Sequence, residues 1–335
     1  MRPPSFWSAQ KPTAIARTLQ PIGALYGWTT ARRMLQGGER AGAPVVCVGN
    51  FVAGGAGKTP AAIALARMLT ADGRRVAFLS RGYGSPPRAE PLLVDANVHI
   101  SRDVGDEPLL LARFAPCWVS ADRLLSARRA IEAGANTLIL DDGLQNPSLA
   151  KDLAFAVVDG EVGFGNGLCV PAGPLRAPLA VQMAQVRALI VIGGDDAMTE
   201  RVAASARGKL ILRATLEPDA VASAPLIGRE VVAFAGIARP QKFYATLKRI
   251  GAQIVSTRDF PDHHPFTQRE IEALIEEAGR RGALLATTEK DRVRLTSSQA
   301  KTVVILPVSL RFETPKAVEP MLREIFRGER RAKRR

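Results

Sequence analysis

Cysteine, histidine and aromatic side chains are scarce in this chain. Its 335 residues include three Cys and three His, and Phe, Trp and Tyr together make up 5%. Cys47, Cys117 and Cys169 lie far apart without a Cys-x-x-Cys pair, each in or beside an apolar run. That pattern fits buried free thiols in a reducing compartment, not a disulfide framework or a zinc site. Long apolar runs are missing too. No stretch reaches the roughly 18–20 apolar residues of a spanning helix, and the start has no apolar core followed by a small-residue cleavage site, so a chain that neither crosses a membrane nor is secreted is expected. Without a basic stripe interleaved with stacking rings, a nucleic-acid-binding NTPase has charge as its only support, and no nucleic-acid partner is expected.

Acidic residues are outnumbered: 32 Asp and Glu face 46 Lys and Arg, a formal charge of +14. The segment Arg327–Arg335 holds six Lys or Arg and one Glu, a net of +5, which leaves +9 spread over the rest. A surface of this kind favours phosphates, including anionic headgroups; a solubilising tail is the plainer reading of the terminal run. With 47% apolar and 23% charged residues the chain has material for a sizeable core, and its length predicts two domains.

Near the N-terminus Phe6, Trp7, Leu19, Ile22, Leu25, Tyr26 and Trp28 mix with Arg17, Arg32 and Arg33, while Pro3, Pro4, Pro12 and Pro21 break the segment into short pieces. Two readings stand: an in-plane membrane-surface helix around Thr13–Leu35, or an amphipathic helix packed on the protein's own core.

From residue 44 onward β-branched runs alternate with helical stretches. Strands are expected at Val45–Val48, Val76–Leu79, Trp118–Val119, Leu138–Leu140 and Phe155–Val158, with helices at Thr59–Ala71, Glu107–Arg113 and Asp122–Ala133. This is the rhythm of a parallel sheet covered by helices. After the Gly- and Pro-rich stretch Gly163–Pro178 it resumes at Leu189–Ile192, Leu210–Leu212, Val231–Phe234, Ile254–Ser256, Leu284–Ala286 and Val303–Leu306, with helices such as Pro240–Ile250 and Thr267–Ala278. The expected division is therefore a domain over 1–162, a second over 163–326 and a basic tail over 327–335.

The strand Val45–Val48 runs through Gly49, Asn50, Phe51, Val52 and Ala53 into Gly54, Gly55, Ala56, Gly57, Lys58, Thr59 and Pro60, and a helix-compatible run follows at once. Strand, glycine loop, Lys-Thr and helix in register make a phosphate cradle of backbone N–H groups at a helix N-terminus. Lys58 would reach the β- and γ-phosphates and the Thr59 hydroxyl the Mg²⁺ shell. Val52 stands where the strict pattern has Gly. The run Thr137–Leu140 then delivers Asp141 and Asp142 at a strand end, where a carboxylate serves the metal directly or through water, or merely caps a helix. These features imply a Mg-nucleotide phosphoryl-transfer protein.

Three polar segments remain: Ser80–Gly84, Gly105–Pro108 and Pro261–Phe266, the last with adjacent His263 and His264. A metal site, a loop or cap, and acid/base work across an interdomain cleft are the open readings of the His pair. A P-loop GTPase or ATPase that switches a protein partner is the alternative function. No Asn-Lys-x-Asp guanine-reading block supports it, since Thr288-Glu289-Lys290-Asp291 only approaches one, and ATP is favoured.

Taken together, these blocks with Asp141–Gln145, Gly165–Gly167, Pro171–Arg176 and Phe234–Ala238 resemble one family, the tetraacyldisaccharide 4′-kinases of lipid A biosynthesis, from about Pro21 to about Phe312. The resemblance implies a P-loop NTPase-like parallel-sheet domain and a smaller α/β/α domain with the active site between them. It implies transfer of the ATP γ-phosphoryl group to the 4′-hydroxyl of a tetraacylated disaccharide 1-phosphate, giving lipid IVA. The partners would be that lipid precursor and an anionic membrane surface, at the cytoplasmic face of the bacterial inner membrane, with no obligatory protein partner. Carried over, Asp106 would be the base and His263 would orient it or share its proton. Lys58 would serve the phosphates, Thr59, Asp141 and Asp142 the Mg²⁺, and Tyr83, Arg123, Gln145, Asn166 and Arg176 the substrate or the cleft. Val52 and Ala56 replace small polar residues of the family's loop, which leaves the backbone cradle intact.

Overall fold

The computed structural model describes residues 4–9, 11–55 and 57–326; Ala56 and the basic tail 327–335 lie outside the described residues. The strands expected from sequence form, in chain order, β1 (Val45–Asn50), β2 (Val76–Ser80), β4 (Cys117–Val119), β5 (Thr137–Asp141), β6 (Leu153–Asp159), β7 (Ala188–Ile192), β8 (Leu210–Pro218), β9 (Glu230–Ala235), β10 (Gln253–Asp259), β11 (Leu284–Thr288) and β12 (Val304–Leu306). Two more were not anticipated, the short β3 (Leu92–Leu93) and the last strand β13 (Val308–Phe312).

Nine strands make one sheet in the order β13-β8-β7-β6-β1-β5-β2-β4-β3, parallel except for the β13–β8 and β3–β4 pairs. Strand β1 shows why it is buried on both faces: Val46 and Val48 enter one core, Val45 and Cys47 the other. The helix Lys58–Ala71 covers the first face, burying Ala61, Ala62, Leu65, Ala66 and Leu69 at helical spacing. The other four strands form a separate parallel sheet, β10-β9-β11-β12, with cores on both of its faces.

This topology corrects the expected domain division. The Gly/Pro-rich stretch at 163–178 is a loop inside the large lobe, since β7 and β8 extend the same sheet beyond β6. The chain leaves that sheet after Pro218, builds the small lobe, and returns with β13, which pairs antiparallel with β8. Outgoing and returning chain are themselves bonded, Asp219 N–H to Pro307 C=O at 2.9 Å. A composition shift marks a loop, and here the loop is not a boundary.

The N-terminal segment holds a short 3-10 turn, Ser5–Trp7, and then one long helix, Ala14–Met34, with the exposed Pro21 inside it; Pro12 lies before the N-cap Thr13, whose Oγ1 accepts from Ala16 N–H at 3.3 Å. Its inner face is a narrow row of small residues: Ala16, Gly23, Gly27 and Ala31, ending in Met34. A Cβ at Gly27 would lie 2.8 Å from Cys169 Sγ, so glycine is what admits this approach. The large apolar residues Ile15, Ile22, Leu25, Tyr26, Trp28 and Leu35 point outward. Packing and surface presentation thus coexist on one helix.

The central strands leave no slack for lost volume. Replacing the fully buried Phe155 of β6 by Ala is expected to cost about 3–5 kcal/mol of unfolding free energy in urea titrations; a loss below about 1 kcal/mol would contradict the packing described.

Candidate active site

Parallel strands end at one edge, and here that edge collects polar residues. Strand β1 runs into the glycine loop between the ends of β5 and β6, which carry Asp141 and Asp159. Within the loop Asn50 Nδ2 donates to Gly54 C=O at 3.0 Å, and Gly57 holds φ +86° with no space for a Cβ, which would lie 2.6 Å from Ile192 Cδ1. Lys58, Thr59 and Pro60 form the first turn of the following helix. The 163–176 segment braces the loop from outside: Ala53 N–H donates to Pro174 C=O at 2.7 Å, and Arg176 N–H to Phe51 C=O at 2.8 Å.

Asp142 sits in the left-handed region at φ +50°, between Arg176 Nη1 at 2.9 Å and Lys58 Nζ at 3.7 Å. Burial alone would raise its carboxyl, but Lys58 and Arg176 bring it below its usual range. For Lys58 burial wins: its ammonium is held below its ordinary value despite Asp142. Asp141 is different. It is pushed up to about 7 by burial, with Asp142 adding to the rise, and its Oδ1 has no hydrogen-bond partner among the described residues. A buried, unpaired carboxylate oxygen beside a phosphate loop has the donor chemistry of a magnesium site, where one or two carboxylates join a hydroxyl and phosphate oxygens. Asp141 and Thr59 fit that role; Asp142, engaged by two cations, is less available.

Gly105 at φ +89° opens the short helix Asp106–Ala112, and a Cβ there would lie 2.6 Å from Tyr83 C=O. This close fit places Asp106, which is nearly buried. Its partner comes from the small lobe: His263 Nδ1 lies 2.8 Å from Asp106 Oδ2. His263 stands in the left-handed region at φ +60°, its N–H bonded to Gly236 C=O at 3.2 Å, and its ring meets that of Tyr83 at 5.5 Å. Non-glycine residues in that conformation cluster where function holds them. His264, by contrast, stacks on Phe260 and contacts the Glu270 carboxylate at 3.0 Å, serving the cap of the helix Gln268–Arg280.

Other expected substrate residues are sorted by the structure. Tyr83 is exposed at the cleft. Arg123 is buried, bonds Ser120 C=O, and leaves Nε without a hydrogen-bond partner among the described residues; burial lowers its guanidinium to about 10, so it stays charged at neutral pH. Gln145 supports the loop's base, donating to Asn50 C=O at 2.8 Å and Gln182 Oε1 at 2.7 Å. Asn166 does not face the cleft: its amide bonds Phe6 and Ala172 carbonyls and accepts from Leu168 N–H, so a backbone duty occupies the whole group.

Three residues were missed. Arg294, whose side chain is 3% exposed, places Nε 3.1 Å from Asp106 Oδ2 as an ion pair not aligned as a hydrogen bond, and bonds the carbonyls of His264 and Gly236. Lys290 reaches Glu107 at 2.9 Å and His263 Nε2 at 3.2 Å. Glu107 and Lys290 sat inside quoted motifs without an assigned task; Arg294 had no signal.

A phosphate loop at the end of a parallel strand, together with an acid–imidazole pair built from both lobes, sorts this molecule among the P-loop kinases. The family described as tetraacyldisaccharide-1-P 4′-kinase matches residues 15–327. The tetraacyldisaccharide 4′-kinase of Methylobacterium sp. (strain 4-46) is 55% identical, covering 92% of this chain and 93% of its own. That of Paramagnetospirillum magneticum is 50% identical, covering 97% and 99%. The crystal structure of LpxK from Aquifex aeolicus, in complex with ATP, superposes with a TM-score of 0.72 at 26% identity, over 93% of this chain and 99% of that one. This chain belongs to the tetraacyldisaccharide 4′-kinase family.

The Asp141 carboxyl generates a pH test. Its folded value lies above the unfolded 3.8, so its contribution to stability is full below about pH 4 and lost as pH rises toward 7. In EDTA and without nucleotide, Asp141→Asn should melt higher than wild type at about pH 8 and nearly level with it at about pH 4. An equal offset at both values would contradict the assignment.

Proposed function

We propose that this protein transfers the γ-phosphoryl group of ATP to the 4′-hydroxyl of a tetraacyldisaccharide 1-phosphate. The observation that supports the reading is the Asp106–His263 contact, an acid–imidazole pair to which the two lobes contribute one residue each. A sugar alcohol is a weak nucleophile, and phosphoryl transfer depends on positioning and charge neutralisation. The division of labour follows. Backbone N–H groups of the 54–57 loop and Lys58 hold the donor, and Asp106 takes the hydroxyl proton as the oxygen attacks phosphorus. Arg123, with a free buried donor, and Tyr83 line the acceptor side. Magnesium, when bound through Thr59 and Asp141, neutralises phosphate charge. Arg176 keeps Asp142 and the loop in place.

The acceptor carries acyl chains, so the enzyme must work at a bilayer. The outward Leu25, Tyr26 and Trp28 on the N-terminal helix, with Arg32 stacked over Trp28, have interfacial chemistry. Among the described residues no helix is long and apolar enough to cross a membrane. Peripheral attachment at the cytoplasmic face of the inner membrane follows from this reading.

Radiolabel transfer from ATP to the disaccharide tests the assignments. Lys58→Ala and Asp106→Ala should each lower turnover at least about 100-fold, the latter with ATP affinity nearly intact; His263→Ala should cost far more than His264→Ala. Equal losses for the two histidines, or wild-type turnover in Asp106→Ala, would remove the base assignment. Replacing Leu25 and Trp28 by Ser should weaken binding to anionic vesicles with little change in melting temperature, and unchanged vesicle binding would count against the membrane role.

A further inference from the structure

The phosphate loop is anchored through its carbonyls, and one of the groups that anchor it is a buried amide outside every motif read from the sequence. Gln182 lies on the helix Leu179–Ala184 and is 0% exposed. An amide so placed persists only with its hydrogen bonds made. Its Nε2 donates to Phe51 C=O at 3.1 Å and to Ala177 C=O at 2.7 Å, and its Oε1 accepts from Gln145 Nε2 at 2.7 Å. Two carbonyls on one side of the amide can be met only by the NH₂ group, so its orientation is settled and Oε1 faces Gln145. Three consecutive carbonyls between strand and glycines are occupied in this manner. Gln145 Nε2 serves Asn50 at 2.8 Å, Gln182 and the Arg176 N–H serve Phe51, the latter at 2.8 Å, and Arg176 Nε serves Val52 at 3.2 Å. Gln182 acts on two of them. It holds the Phe51 carbonyl itself, and by taking one hydrogen of the Gln145 amide it leaves the other aimed at Asn50.

We infer that Gln182 is a positioning residue for nucleotide binding, which fixes the Phe51 peptide directly and the Asn50 peptide through Gln145, so that the chain enters the glycine loop already set for a triphosphate. This rests on the reading of residues 54–57 as the phosphate cradle. In such a loop the backbone N–H groups serve the anion, and the carbonyls of the approaching chain need donors of their own. A loop without this tie has to be ordered by the nucleotide as it binds, and that cost is drawn from ATP affinity. Gln182 touches neither the Asp106 side of the cleft nor the residues lining the acceptor, so the acceptor is held as before.

Gln182→Met keeps the length of the side chain and removes its donors and its acceptor. In the full-length protein it should raise KM for ATP, and Kd for a non-hydrolysable ATP analogue, about 10-fold, with kcat and KM for the disaccharide each within about 3-fold. A merely structural role would instead lower the active fraction, so that kcat falls while KM for ATP stays at the wild-type value; that result overturns the inference. A second readout looks at the carbonyl itself. Phe51-Val52 is the only Phe-Val step in the chain, so protein labelled with ¹³C-carbonyl Phe and ¹⁵N-Val gives a single carbonyl–nitrogen correlation. In Gln182→Met the Phe51 carbonyl should move upfield as a hydrogen bond is lost. An unmoved carbonyl, or a moved one with wild-type KM for ATP, overturns the inference too. If Gln182→Met fails to fold, Gln182→Glu, which keeps the shape and at most one donor, is read the same way. Wild-type ATP affinity in Lys58→Ala would instead sink the phosphate-loop reading and leave the carbonyl result standing, so the two failures are told apart.

Discussion

A carboxylate in one lobe and an imidazole in the other meet at 2.8 Å, and neither lobe owns the pair. Asp106 is nearly buried, and a buried charge without partners costs several kcal/mol. Its partners, His263 and Arg294, both come from the small lobe. Satisfying Asp106 and bringing the lobes together are therefore one event. Further pairs line the same seam: Arg113 to Glu289 at 3.0 Å and Lys290 to Glu107 at 2.9 Å on one side, Arg239 and Lys242 on Asp159 at 2.7 and 2.8 Å on another. The crossing chain segments, bonded to each other where they leave and rejoin the large sheet, let the small lobe supply these groups.

The large sheet provides the other half of the chemistry by its direction. Because β1, β5 and β6 run parallel, their C-terminal ends place the glycine loop, Asp141 and Asp159 at one edge, the edge on which the proposed phosphate site rests. The Asp141 oxygen without a hydrogen-bond partner among the described residues, with its raised carboxyl, fits the magnesium-holding role proposed for it. Of the three non-glycine residues held at positive φ among the described residues, Asp142, Arg207 and His263, two belong to the candidate site.

Much of this was readable from residues alone, for identifiable reasons. The phosphate loop is local: strand, glycines, Lys-Thr and helix follow one another, so spacing suffices. The α/β character followed from alternating periodicities, while the division into two lobes was expected from length and composition and its boundary was misplaced. What resisted were features set by distant partners. Strand β13 is five residues long and belongs to the large lobe only because β8 waits for it. The 163–178 loop reads as a linker in composition, yet its carbonyls and Arg176 brace the phosphate loop. Asn166 and Gln145 stand in motif blocks, and sequence cannot separate a side chain that touches substrate from one that ties backbone together. Arg294 is invisible for the converse reason: its importance lies in three loops that meet only in the fold.

The central claim is that the acceptor alcohol is activated by Asp106 while the phosphate loop presents the donor across the seam. A crystal structure with a non-hydrolysable ATP analogue and the disaccharide 1-phosphate bound together tests it most directly. The account predicts the 4′-oxygen within about 3 Å of the Asp106–His263 pair, with the γ-phosphate against Lys58. A closed complex in which the 4′-hydroxyl is bonded to another side chain, with the Asp106 carboxylate turned away from it, would contradict the account.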